Sequence, residues 1–294
     1  MSGKLVSVIV PVRDDGEVFK LLQQTREYED FRIEVIVIAN GASLDFLKKL
    51  SSTLAFTKSH SLISLPLADI AAARNAGIKS AVGRYVLFLD SDCTLPPEYF
   101  VNLLNYLDQR RGILLGRGPV NFISRDGLFS KFNSKIRARS YNRRKGACYA
   151  PNLIVSASIF SRVRGFFEGI GYSVDTEWGR RAELSGYKIE HLPTKFFVNH
   201  IDDSSALKTI RTWFYYGVGR AFREKRNYLL GRCGRFDYIR SLFPASNLID
   251  RGDSLIFMGF VTLHYFVRTL GILHGIFFRW RKINLRFLKD AGLV

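Results

Sequence analysis

The sequence predicts an α/β fold built on a largely parallel sheet. Three observations carry this. Apolar, β-prone runs recur early in the chain: Ser7–Pro11, Glu34–Ala39 and Tyr85–Leu89. Stretches of helical periodicity separate them. Each run is nearly continuous in hydrophobicity rather than alternating, as a strand buried on both faces must be. Strands alternating with helices are the signature of βαβ units.

The elements follow in order. Ser7–Pro11 is the first strand, and Glu17–Tyr28 a helix. Glu34–Ala39 is the second strand, and Leu44–Leu54 a helix with Ser43 at its N-cap. Ser59–Leu65 is a third strand, and Asp69 caps an Ala-rich helix over Ile70–Ala81 that Gly83 ends. Tyr85–Leu89 is the fourth strand, and Pro96 or Pro97 opens a helix through Gln109. Ile113–Leu115, Val120–Phe122 and Asn152–Ser156 read as strands, Ile159–Val163 as a short helix and Gly165–Glu168 as a turn. Asp175–Leu184 is a helix ended by Gly186, and Lys188–Leu192 and Phe196–His200 are short strands. A basic, aromatic helix covers Leu207–Tyr228, and a linker-like stretch spans 229–253. These patterns divide the chain into residues 1–203, in two halves (1–124 and 125–203), and a basic helical region, 204–294.

Composition narrows the function. Across 294 residues the net charge is +18, and the excess falls on 125–145 and 204–294, leaving the rest neutral. Such asymmetry implies an anionic partner: nucleic acid, an acidic membrane surface or a phosphorylated substrate. No helix-turn-helix, zinc-finger or ribonucleoprotein motif supports nucleic acid. Cys93, Cys148 and Cys233 are scattered, which excludes a disulfide framework or zinc cluster and fits a reducing cytoplasm. The short apolar stretch Leu5–Val12 contains Pro11 and runs into Arg13-Asp14-Asp15, so it reads as a strand rather than a secretory signal.

Leu255–Phe278 is apolar over a length that just spans a bilayer. His264, Arg268 and His274 fall on one arc of it with Gly271 and Gly275. A central Arg costs roughly 2.5–3.5 kcal/mol in a span. The expectation is a helix at the membrane interface, on the cytoplasmic face, followed by the basic run Arg279–Lys282. A single span and a buried core helix are the alternatives.

The chemistry concentrates at Asp90-Ser91-Asp92, directly after the fourth strand. Ligands of open α/β sheets bind beyond the carboxyl ends of strands. Two carboxylates one residue apart there form a hard-oxygen site suited to Mg²⁺ or Mn²⁺ carrying a diphosphate. Taken alone, the triplet reads equally as turn or cap carboxylates.

The ordered set resembles a family. It comprises Val6–Val12, Val35–Gly41, Ala73-Arg-Asn-Ala-Gly77, Gly83–Asp92, Asn152, Gly165–Glu168, Asp175-x-Glu177, Arg181, Gly186-Tyr187 and His200. Over about residues 5–202 this is similar to the family 2 inverting glycosyltransferases, hexosyltransferases among them, with the GT-A nucleotide-diphospho-sugar transferase fold, a Rossmann-like mixed sheet flanked by helices. The resemblance implies a metal-dependent transfer from a nucleoside-diphosphate sugar to an acceptor hydroxyl, on a lipid-linked or polysaccharide glycan of envelope or exopolysaccharide synthesis.

It also implies roles. Pro11 and Val12 would lie beside the base, and Arg74 would meet the nucleotide or diphosphate. Asp90 would touch the ribose or a metal-bound water, with Ser91 in the same turn. Asp92 would ligate the metal, joined by His200. Asp175 would be the base, with Glu177 as alternative base or acceptor-binding carboxylate. Arg181 would pair with these acids or with phosphate. The resemblance makes 1–124 the nucleotide-binding half and 125–203 the acceptor half; the basic excess adds that Arg137, Arg139, Arg143, Arg144 and Lys145 would hold a lipid-linked diphosphate acceptor.

Two positions depart from the family pattern. Ala39 stands where an acid often reads the base, leaving Asn40 to serve through its amide, and Val174 stands where a Glu usually precedes the base. The nucleotide is therefore open between UDP, GDP and dTDP. A nucleic-acid-binding module, a catalytically degenerate scaffold and a nucleotidyltransferase are the competing readings.

Overall fold

The computed structural model describes residues 4–28, 32–55, 57–110, 112–124, 127–143, 147–169, 171–202, 205–229, 236, 239, 242, 248–250 and 252–278. The expected linker lies mostly outside the described residues. Arg144, Lys145, the Arg143 side chain and Arg279–Lys282 lie wholly outside them. Two compact units are present: 1–125 with 141–169 and 174–202, and 126–140 with 170–173 and 203–294. Residues 126–140, expected in the first body, thus belong to the second.

The first unit is a mixed sheet flanked by helices. In chain order its elements are β1 (Val6–Val12), α1 (Val18–Glu27), β2 (Ile33–Asn40), α2 (Leu44–Leu54), β3 (His60–Leu65), α3 (Ile70–Ser80) and β4 (Tyr85–Phe88). Then come β5 (Cys93–Thr94), α4 (Tyr99–Asp108), β6 (Leu115–Arg117), β7 (Val120–Ser124) and α5 (Leu128–Arg143), whose first thirteen residues belong to the second unit. β8 (Leu153–Ser156), α6 (Ser158–Val163), α7 (Val174–Leu184), β9 (Glu190–His191) and β10 (Val198–Asp202) complete it. The seven-stranded sheet has the order β3-β2-β1-β4-β8-β6-β9, and a three-stranded sheet runs β5-β10-β7.

All seven residues of β1 are buried, which is why its sequence lacks polar alternation. Burying each such Val or Ile contributes about 1.5–3 kcal/mol against exposure. α1 buries Val18, Leu21, Leu22 and Thr25, one face of a helix. Ser43 caps α2 through its hydroxyl, and Asp69 caps α3 by accepting from the N–H groups of Ala71 and Ala72.

Several elements depart from expectation, among them β6, expected at Ile113–Leu115 and found at Leu115–Arg117, and β9, expected over Lys188–Leu192 and confined to Glu190–His191. α5 was read as a basic segment, because Lys131, Lys135, Arg137 and Arg139 obscure a thin stripe of Phe129, Phe132 and Ile136. β5 is too short for a periodic signal. The strand expected at Phe196–His200 begins at Val198, because a 3-10 turn over Thr194–Phe196 follows Pro193.

The second unit is helical. α8 (Ala206–Leu229) packs along α9 (Leu255–Phe278). The arc of Gly271, Gly275 and His264 faces α8: a Cβ at Gly271 would overlap the Phe214 carbonyl, one at Gly275 would lie 2.8 Å from Ala221 Cβ, and His264 sits edge-on to Trp213. The two backbones meet at a distance that only glycine allows.

Candidate active site

Strand order reverses between β1 and β4, so a crevice opens beyond their carboxyl ends. Pro11 helps open it. The ladder between β1 and β4 ends where Leu89 N–H donates to Ile9 O. Pro11, two residues further on the same edge, has no N–H to leave unpaired there. Pro11 and Val12 therefore border the crevice while β2 covers their other side.

Asp90 and Asp92 flank a tight turn closed by Cys93 N–H donating to Asp90 O at 3.1 Å. The chain then enters β5, which pairs antiparallel with β10 so that Cys93 opposes His200. That register carries His200 to the turn. Its Nε2 lies 3.2 Å from Asp92 Oδ1 and 3.7 Å from Asp90 Oδ2. The imidazole is buried and packs on Phe122, its neighbour on β7. One ligand atom from each of the three lies within 4.8 Å of the others.

This donor set fits a divalent cation. Two carboxylates and an imidazole suit Mn²⁺ or Mg²⁺ more than a soft metal. Adjacent octahedral ligands at ~2.1 Å from an ion lie ~3 Å apart, close to the separation of His200 and Asp92.

Arg74, buried on α3, donates from Nη2 to Asp90 Oδ1 at 3.3 Å. Ser91 Oγ donates to Asp15 Oδ2 at 2.7 Å, tying the turn to the loop after β1. Asp175 opens α7, and its carboxylate accepts from the N–H groups of Thr176 and Ala150. Burial pushes its pKa up; the positive charge of Arg74 opposes this, as do the two N–H donors, while Asp90 adds to the rise. Asp175, Arg74 and Asp90 thus form one electrostatic group.

The geometry corrects several of the expected roles. Glu177 is buried and Arg181 grips both its carboxylate oxygens, at 3.0 and 3.1 Å from Nε. Arg181 also donates to the carbonyls of Val163 and Gly165. Neither is placed to serve as base or phosphate ligand; the pairing alternative holds. Asn40 directs its amide oxygen to Asp69 N–H at 2.8 Å, so it fixes the start of α3. Gly41, at φ 66°, allows this approach, since a Cβ there would lie 2.7 Å from Ala68 N. Arg139 lies in the second unit, bound to Asp253, Asp250 and Leu248 O.

Other residues were missed by sequence reasoning. Asp15 holds Ser91, and Asp14, at φ 49°, accepts from the Ser43 N–H and hydroxyl. Both lie just beyond β1, after Arg13, at the kind of position that singled out Asp90 after β4. Asn75 pairs with the N–H and carbonyl of Phe166 and with Glu168, fixing the loop before α7. Arg117 spans the carbonyls of Tyr141 and Ala147 and lies under the Tyr141 ring.

This mixed sheet, with an Asp-x-Asp turn at its strand reversal, has the fold of solved nucleotide-sugar transferases. The family model described as Glycosyl transferase family 2 matches residues 7–164, and the chain belongs to that family. The chain is 28% identical over 194 residues to Glycosyltransferase AglE of Haloferax volcanii, covering 63% of each. It is 32% identical over 144 residues to the poly(ribitol-phosphate) β-N-acetylglucosaminyltransferase TarP of Staphylococcus aureus, covering 44% of this chain and 42% of TarP. The chain thus spans less than two thirds of these relatives' lengths.

Among solved structures, the mannosyltransferase PcManGT from Pyrobaculum calidifontis, in complex with GDP-Man and Mn²⁺, matches with a TM-score of 0.62 and 14% identity, over 92% of this chain and 87% of that one. Staphylococcus aureus TarS 1–349 with UDP-GlcNAc matches at 0.58 and 13%, over 95% and 92%. At such identities the likeness is one of fold.

Proposed function

We propose that the chain is a divalent-metal-dependent inverting glycosyltransferase. It moves a sugar from a nucleoside-diphosphate donor to a hydroxyl of a glycan or lipid-linked acceptor, beside an anionic membrane surface. The observation that carries this is the convergence of Asp90, Asp92 and His200 in one crevice with Asp175 in electrostatic reach. The poly(ribitol-phosphate) acceptor in TarP's name supports a polymer acceptor. The basic excess supports the anionic surface.

Asp92 and His200 would hold Mg²⁺ or Mn²⁺, with Asp90 beside them. When bound, such an ion neutralises charge growing on the departing diphosphate. Arg74 anchors Asp90 and offers a fixed guanidinium to the same anion. Asp175 accepts the proton of the acceptor hydroxyl as that oxygen attacks the anomeric carbon from the side opposite the diphosphate. Its raised pKa makes it a stronger base than an exposed Asp, yet Arg74 keeps the ionised form accessible.

The test is thermal stabilisation and nucleoside-diphosphate release with a panel of UDP-, GDP- and dTDP-sugars, with and without Mn²⁺. Donor-dependent stabilisation that needs metal is expected. A chain that binds none of them, or releases pyrophosphate instead, is not this enzyme.

A further inference from the structure

We infer that α9 lies in the plane of an anionic bilayer with one apolar face inserted, and that it does not cross the membrane. This deepens the reading above by naming the surface that meets the lipid.

α9 satisfies the length and hydropathy of a span, with mean hydropathy 1.5 over Leu255–Phe277. Its packing forbids one. Gly271, Gly275 and His264 are seated against Phe214, Ala221 and Trp213 of α8, so the two helices enter a membrane together or not at all. α8 carries Lys208, Arg211, Arg220, Arg223, Glu224, Lys225 and Arg226. Each charge at the hydrocarbon centre costs roughly 2.5–3.5 kcal/mol. Separating the helices instead would bare His264 and Arg268 on α9.

The face opposite α8 is different. Ile256, Leu263, Phe266, Leu270, Leu273 and Phe277 are all exposed, Ile256 by 66%, Phe266 by 60% and Phe277 by 70%. At about 100° per residue they fall within an arc of ~100°, in a line ~32 Å long. No Lys, Arg, Asp or Glu shares that arc; His274 stands at its edge, level with Ile256, and packs on Phe214 of α8. A monomer rarely shows water such a stripe without a use for it.

The charge of the unit selects the occupant. Lys and Arg outnumber Asp and Glu by 20 to seven across the second unit, and the sequence after α9 continues Arg279-Trp280-Arg281-Lys282. A second copy would bring the same charge against itself; an anionic lipid surface brings the opposite one. An amphipathic helix of this kind sits ~5–10 Å deep at the headgroup boundary.

The experiment uses the full chain with vesicles of phosphatidylcholine alone or with phosphatidylglycerol. Flotation with the anionic vesicles is expected, weakened by salt, and lost at least tenfold in the double variant Phe266→Asp, Leu270→Asp. Thermal stabilisation by donor and Mn²⁺ should be unchanged in that variant, which separates failure of this inference from failure of the transferase reading. In Phe266→Trp, the added fluorescence should be quenched more by lipids brominated near the headgroup than by those brominated near the chain end. Undiminished flotation of the double variant overturns the inference. So does deep quenching, which reports a span, and so does a vesicle-free dimer that the double variant dissolves.

Discussion

His200 Nε2 stands 3.2 Å from Asp92 Oδ1, although Asp92 lies midway along the first unit's sequence and His200 at its end. The pairing of β5 with β10 brings them together, extended by Ile201 N–H donating to Asp92 O at 3.0 Å. In a transferase reading this contact is a metal's ligand edge. His200→Ala should raise the Mn²⁺ concentration needed for half-maximal donor stabilisation by about tenfold or more. Chelation by EDTA should erase the stabilisation in both proteins. Equal Mn²⁺ dependence in the two would remove His200 from the ligand set.

Asp175 supplies a pH signature. Its pKa is raised, chiefly by burial, so the acid limb of kcat should lie above the ordinary range of an exposed Asp. Activity is lost as pH falls through that raised value, because the protonated carboxyl cannot accept a proton. Arg74→Ala removes the charge that opposes the rise, so the limb should move to higher pH. Asp175→Asn should lower kcat by about 10²–10⁴ and leave circular dichroism unchanged. A limb that does not move in Arg74→Ala contradicts the grouping.

The Glu177–Arg181 pair is a stability element. Burial lowers the Arg181 pKa to about 10, yet its guanidinium meets both Glu177 oxygens and two carbonyls. Arg181→Met would leave a buried carboxylate uncompensated, a loss of about 3–5 kcal/mol. Urea denaturation would measure it. Replacing both partners by apolar residues should cost less than removing Arg181 alone.

In the second unit Asp253 is held below the usual carboxylate range, first by its hydrogen bond from Arg139 and also by Lys135. A depressed pKa stabilises the fold above the unfolded value, ~3.9, and that stabilisation is lost as pH falls toward the folded value. Asp253→Asn should therefore flatten the acid side of the thermal-stability profile below about pH 4. A profile with unchanged slope would mean that another carboxylate governs it.

The strands, most helices and the carboxylates of the candidate site could be read from the chain because each is announced locally. β1, β2 and β4 are apolar runs, and Asp90, Asp92 and Asp175 sit at element ends. Glu177 and Arg181 were visible as an i, i+4 pair, but such spacing says nothing about burial, which depends on α6 and the following loop. Asn40 looked like a ligand group because its bond to Asp69 joins residues distant in sequence. α5 was hidden for another reason: its apolar stripe is narrow and its cations are many, so periodicity gave way to charge.

Arg74 and Asn75 are consecutive on α3. One holds Asp90 at the crevice, and the other holds the backbone of Phe166 ahead of α7. A shift of α3 therefore cannot loosen one grip and leave the other intact. α3 is thus a common mount for the Asp-x-Asp turn and for the approach to α7.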